Sequence, residues 1–246
     1  MRGSRDIRLD AVHSGIPGSS SIPFQCRLLL PTPRVTVLRN RAAIGRALCA
    51  ILLIWQALPA AAAGPHWTGI SGYRVDMRQA PEAQLSETEA NLLHQISIVE
   101  SAKVPDRIKS FFRRIHIVID PTLTGMNGQY TEIKGEWMVR ARPGKWPPDR
   151  AILLHELLHA YHREVLGQPT PPIGRAFEEA LRDGTYPPEY KTAYFLSNPR
   201  EYFAVVGEIY LSGPSFRPPF SCGIVKNAQP GFIRYLESLF GEQECQ

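Results

Sequence analysis

The 246-residue chain predicts an α+β fold, and three observations carry that reading. Leu92, Leu93, Ile96 and Val99 recur at helical spacing behind Ser86. A β-branched run, Arg114-Ile-His-Ile-Val-Ile-Asp120, reads as a strand, and Gln129 to Val139 reads as one or two more around Gly135. Apolar helical patterns then fill most of the remainder. A helix, a few strands and a helical C-terminal half is the order of an α+β domain with a small sheet.

The chain divides at about residue 63. Residues 1–63 hold eight Lys/Arg and two acids, whereas residues 64–246 hold 20 Lys/Arg and 21 acids. The formal charge of +5 therefore belongs to the leader, and the folded part carries no basic excess to attract nucleic acid. Arg34, Arg39, Arg41 and Arg46 precede an apolar stretch from Ala47 to Leu58, and Ala61 and Ala63 fit a signal-peptidase site before Gly64. The expectation is export to a periplasmic or secreted location, cleavage after Ala63, and no stable membrane association afterwards. An uncleaved anchor is the alternative, although a membrane span needs about 20 apolar residues. Residues 1–33, rich in Ser, Pro, Gly and Arg, read as a disordered extension or a start assigned too early.

Residues 64–246 form one expected domain, large enough for a single core. Gly64 to Pro81 is turn-rich, with a short strand near Tyr73 to Met77. Ser86 opens the first helix, with Glu89 as its capping-box partner, and this helix runs to Glu100. Pro121 to Gly128 is loop. Ala151 to Leu166 is the next helix, with Asp149 as a candidate N-cap and Gly167 and Pro169 ending it. A proline loop at Pro169, Pro171 and Pro172 leads to a short helix near Arg175 to Arg182, and Pro187-Pro188 marks a second loop. Asn198 caps a helix with Pro199 at its first position, running to about Leu211. The last helix lies near Gly231 to Phe240. Cys222 and Cys245 are the only cysteines of the mature part, and in an oxidising compartment such a pair usually bonds; two free thiols are the alternative.

The chemistry concentrates in His155-Glu156-Leu157-Leu158-His159, an H-E-x-x-H pattern inside the apolar helix. Residues four apart share a helix face, so two imidazoles can grip one Zn²⁺ while Glu156 lies beside the ion's water. A plainer reading is an amphipathic helix with packed histidines. Catalytic zinc takes three protein ligands plus water. His162 lies two helical turns from His155, about 10 Å away, too far to share the ion with both motif histidines; it reads as a supporting or solvent-facing side chain. Glu178 and Glu179 follow His159 by 19 and 20 residues, a spacing similar to that of thermolysin-type zincins, with Asp183 nearby but a poor flanking match. Glu201 and Glu208 lie on the later helix, where Glu208 reads either as support for a histidine ring or as a surface charge.

The stretch Tyr194-Phe-Leu-Ser-Asn-Pro-Arg-Glu201-Tyr-Phe-Ala-Val-Val-Gly-Glu208 resembles the second motif of the anthrax lethal factor catalytic-domain family and of the related Mlc titration factor A peptidases. The resemblance spans about residues 153–211. It implies a zincin-like metallopeptidase fold, Glu201 as the third zinc ligand and Tyr194 as the oxyanion partner. The implied activity is peptide hydrolysis on a protein or peptide substrate with one Zn²⁺, Glu156 acting as general base. Two other classes stay open at this point: a catalytically degenerate zinc-binding module, and a cell-envelope interaction protein with an accidental motif. An intact Glu156 speaks against the first, since a purely structural site has no use for a base.

Overall fold

A computed structural model describes residues 68–245; the leader, the cleavage point after Ala63, Cys26 and Cys49 lie outside the described residues. The fold is mixed α+β. It comprises a five-stranded sheet and, among the described residues, seven α-helices. The strands are β1 (Thr68–Ile70), β2 (Tyr73–Asp76), β3 (Ile117–Ile119), β4 (Gly128–Ile133) and β5 (Glu136–Ala141). The helices are α1 (Leu85–Ser101), α2 (Asp106–Arg114), α3 (Ile152–Tyr161), α4 (Pro171–Ala180), α5 (Pro199–Ser212), α6 (Cys222–Ala228) and α7 (Pro230–Phe240).

The sheet order is β1-β2-β3-β5-β4. β2, β3 and β5 run parallel, and the two outer strands pair antiparallel to their neighbours. β4 and β5 form a hairpin whose turn, Lys134-Gly135, has positive φ at both residues (52° and 86°), the backbone that matches a right-twisted strand pair. β4 is an edge strand, tied to α3 where Tyr130 N donates to Glu156 Oε2.

Several boundaries differ from the sequence reading, each for a physical reason. The run Arg114–Asp120 is strand only at Ile117–Ile119, because Arg114 closes α2. That helix was missed, although Ile108, Phe111 and Phe112 bury one face at helical spacing. α1 starts behind a 3-10 turn at Glu82–Gln84, so the Ser86/Glu89 capping box does not form; Thr88 Oγ1 instead donates to Gln84 O at 2.6 Å. Pro171 and Pro172 open α4 instead of lying in a loop, because proline's fixed φ suits a helix's first turn. Cys222 heads α6, a helix absent from the sequence reading.

The N-terminus of α3 is capped from a distance. Asp149 makes no cap; the N-cap residue is Ala151, and the buried Gln95 of α1 takes over. Gln95 Oε1 accepts from Leu153 N at 3.1 Å, and its Nε2 donates to Arg150 O at 2.7 Å. Thr88 Oγ1 accepts from Gly144 N at 2.9 Å, and Asn91 donates to Gly144 O. The polar face of α1 thus holds the loop that delivers α3.

α3 and α5 are the centre of the core. Leu153, Leu154, Leu157, Leu158 and Ala160 are all buried, as are Tyr202, Phe203, Ala204 and Val206. A helix apolar on every side belongs inside a protein. A second buried polar knot lies behind α5. Tyr186 and Tyr202 both donate to Gln229 Oε1 (2.8 and 2.7 Å), while Gln229 Nε2 donates to Ala176 O at 2.7 Å. A Cys222–Cys245 disulfide joins the start of α6 to the chain beyond α7. It closes a loop with a sequence separation of 23, which in the chain-entropy picture stabilises by about 3 kcal/mol. Replacing both cysteines by serine is therefore expected to lower the unfolding free energy by about that amount, read as a lower urea midpoint, with the m-value rising as the uncrosslinked unfolded chain exposes more surface.

Candidate metal centre

Each site residue is positioned by an element already described. His155 and His159 are one turn apart on α3, and their imidazoles leave the apolar packing on the side that faces α5. The first turn of α5 brings Glu201. Asn198 Oδ1 accepts from Arg200 N (3.0 Å) and Glu201 N (3.1 Å), so the cap fixes the backbone that carries the carboxylate. The helices approach closely because Gly207 of α5 faces Leu158 of α3: a Cβ there would lie 3.1 Å from Leu158 Cδ1.

The result is a small triangle of donor atoms. His155 Nε2 is 3.1 Å from His159 Nε2 and 3.2 Å from Glu201 Oε2, and His159 Nε2 is 3.4 Å from Glu201 Oε1. Adjacent ligands of a tetrahedral ion with bonds of about 2.0–2.1 Å are separated by about 3.3 Å. The group fits a metal ion, and it is the one such three-residue group among the described residues.

Glu208, two turns along α5 from Glu201, is buried, and its Oε2 accepts from His155 Nδ1 at 3.3 Å. That bond fixes the ring so that Nε2 faces the triangle. Burial works against charge on His155, but the hydrogen bonds to Glu201 and Glu208 and the Glu156 charge outweigh it and push its pKa up to about 10. Burial opposes ionisation of Glu201 too, yet the two histidines hold its carboxyl well below the usual range.

Glu156 points the other way, toward the sheet. Its Oε2 accepts from Tyr130 N of β4 at 2.8 Å, and Gly128 gives it room: a Cβ at that position would lie 3.0 Å from Glu156 Cγ and 3.2 Å from Oε1. Tyr194, in a 3-10 turn ahead of α5, is half exposed and lies with its ring centroid 6.4 Å from that of His155. Burial, the adjacent Glu201 carboxylate and Glu156 raise its pKa, keeping the hydroxyl protonated.

Two cavities meet at this point. One, of about 320 Å³, runs along Gln129, Tyr130 and Thr131 toward Trp137 and Arg163. The other, of about 300 Å³, runs along Gly125 to Gly128 toward Arg150 and Arg217. His155, Glu156 and Tyr194 line both.

Other residues weighed from sequence fall elsewhere. Glu178 is exposed on α4, and Glu179 Oε2 lies 3.4 Å from Gln229 Nε2, so neither joins the histidines. Asp183 pairs with Lys191 at 3.0 Å. His162 is not solvent-facing. It is buried in the π-helical turn His162–Leu166 against Phe203, with Nε2 3.0 Å from Thr170 Oγ1. Thr170's own proton goes to Gly167 O, so His162 Nε2–H is the donor, and Nδ1 is left without a partner. Burial first, then the positive fields of His159 and Arg200, hold its pKa down at about 4. The sequence reading missed Gly128 and the Tyr130 amide; a glycine beside a loop reads as a turn, and a main-chain N–H has no sequence signature. Comparison with protein-family models, curated proteins and solved structures returns no match.

Replacing Glu201 by Ala should abolish metal retention after dialysis, whereas Glu179→Ala should leave it intact. Glu208→Ala should weaken affinity by about 10–100-fold, both measured by elemental analysis and competition titration. In the metal-free protein His155 is protonated at neutral pH, and metal must displace that proton. Affinity should therefore fall as pH falls, with net proton release on binding seen by calorimetry in two buffers of different ionisation enthalpy.

Proposed function

We propose that the chain is a zinc-dependent peptidase of zincin-like architecture, exported after removal of its leader. One observation carries the reading: three ligand side chains leave the remaining side of the triangle open to a cleft, and a carboxylate with no ligand role stands at that opening. A structural site would be closed by a fourth protein ligand. Two imidazoles and one carboxylate suit zinc, and zinc bound there polarises a carbonyl and brings the pKa of water to about 7.

The chain's own groups supply the rest. Glu156 accepts a proton from the attacking water as the water oxygen bonds to the peptide carbon. Its second oxygen is held by the Tyr130 amide, so the carboxylate cannot swing away. Tyr194 donates its hydroxyl proton in a hydrogen bond to the developing oxyanion. As the C–N bond breaks, Glu156 delivers its proton to the departing nitrogen, leaving a carboxylic acid and an amine. The substrate lies along β4. In this register Gly128, Tyr130 and Glu132 turn their main-chain groups away from β5, and an extended peptide can pair with those not already used by Glu156. Antiparallel pairing gives the straighter bonds, and it sends the leaving-group half of the peptide toward Gly128.

Glu156→Gln is expected to retain one zinc per chain and lower peptide turnover by at least 10²–10⁴-fold. Gly128→Ala, which forces Glu156 aside, should also retain zinc and lose turnover. Both are checked by metal analysis beside mass-spectrometric cleavage of a peptide library. Unchanged turnover in Glu156→Gln would remove the proposed base. No cleavage by the zinc-loaded wild type would leave a zinc-binding module.

A further inference from the structure

The cavity beyond Gly128 holds two arginines that the hydrolytic reaction does not use. Arg150 precedes α3, and Arg217 lies in the loop between α5 and α6. Their guanidinium carbons stand 4.5 and 5.6 Å from the centroid of the same ring, Phe216, and Arg217 also lies 5.6 Å from the Tyr194 ring. Two like charges thus converge on one aromatic side chain. Neither forms an ion pair among the described residues, and Arg150 Nε is buried with no hydrogen-bond partner. The nearby acids are committed elsewhere or distant: Glu208 to His155, Glu156 to the Tyr130 amide, and Asp149 to solvent. A partly buried, unpaired guanidinium pair is costly to keep unless an anion completes it.

We infer that Arg150 and Arg217 form a carboxylate-binding subsite for the leaving-group half of the substrate. This rests on the peptidase reading for its placement: an antiparallel peptide on β4 carries its C-terminal half from the reaction centre past Gly128 into this cavity. A planar carboxylate matches the guanidinium fork, and the Phe216 and Tyr194 rings hold the two guanidinium groups in place by stacking. The opposite cavity has Arg163 and Arg200 instead, both exposed, with Arg163 stacked 3.5 Å over Trp137. The carboxylate is either the free C-terminus of a short peptide or an Asp/Glu side chain just after the cleaved bond. The chemistry is shared, and the test separates them.

The test uses fluorescently labelled peptides in which one position at a time is Glu or Gln and the C-terminus is free acid or amide. Binding is measured by polarisation on the zinc-loaded Glu156→Gln protein, alone and with Arg150→Gln or Arg217→Gln added. The expected result is at least tenfold tighter binding for one carboxylate placement, weakened by salt and lost in each arginine variant while zinc content stays at one per chain. Arg150→Gln leaves the Tyr194 contact alone, so its result stands even if Arg217→Gln disturbs the site. A terminal-acid advantage identifies a carboxypeptidase-like or dipeptidase-like preference, and an internal-Glu advantage identifies an acidic-residue preference. Equal binding of acidic and neutral peptides, or an advantage surviving both replacements, overturns the subsite. Cleavage of the same peptides by wild type is scored separately: absent cleavage with a carboxylate advantage refutes the peptidase reading and keeps the subsite.

Discussion

The close packing of α3 on α5 is the constraint on which the site depends. His155 and His159 come from one helix, Glu201 and Glu208 from the other, and their donor atoms meet at 3.1–3.4 Å only because Gly207 lets Leu158 sit against the α5 backbone. A Cβ at Gly207 would press on the Leu158 side chain at 3.1 Å, which would have to give by a few tenths of an ångström. Protein interiors are packed too densely to absorb such a change elsewhere. The same contact buries leucines of α3 worth about 1.5–3 kcal/mol each, so the interaction that builds the core also sets the ligand spacing.

The electrostatics of that packing point in one direction. The Glu201 carboxylate and the two imidazoles meet with the Nε2 atoms only 3.1 Å apart, and Glu208 backs His155 from its other ring nitrogen. Without a cation, protons must serve, which is why His155 is held charged far above the ordinary histidine range. A divalent ion held there would replace that proton with bonds to all three side chains. Glu208 then keeps the same role in both states, since it binds the ring nitrogen away from the ion.

Much of this was legible in the sequence, and the reasons separate what was from what was not. His155, Glu156 and His159 are readable because one helix turn sets their relation, and Asn198-Pro199 marks the start of α5 through local capping chemistry. The choice of Glu201 over Glu179 was not available from spacing alone; it came from resemblance, and the geometry agrees with it. What failed was non-local. Asp149 looked like the cap of α3, but Gln95, distant in sequence, does that work. His162 read as either a supporting or a solvent-facing side chain, and the π-helical turn, which local sequence does not announce, buries it against Phe203. The helices α2 and α6 were passed over as connections, though α2 carried a readable apolar face. Gly128 and the Tyr130 amide matter through what β4 approaches, which no window of sequence contains.

Because the two helices that carry the donor side chains are core helices, the order of the site comes from the fold itself. Small zinc domains fold only when metal binds, since nothing else buries enough surface. Here α3 and α5 carry continuous buried faces, α1 caps α3 through Gln95, and Asn198 caps α5. The energy that holds the donors together is supplied by apolar burial and helix capping. The three donors would need little ordering to receive an ion, and the cleft beside them is walled by other elements, β4 and the Arg150 and Arg217 loops. On the proposed peptidase reading, substrate preference would be set by those walls, which can vary without disturbing the triangle because they are separate from the two core helices.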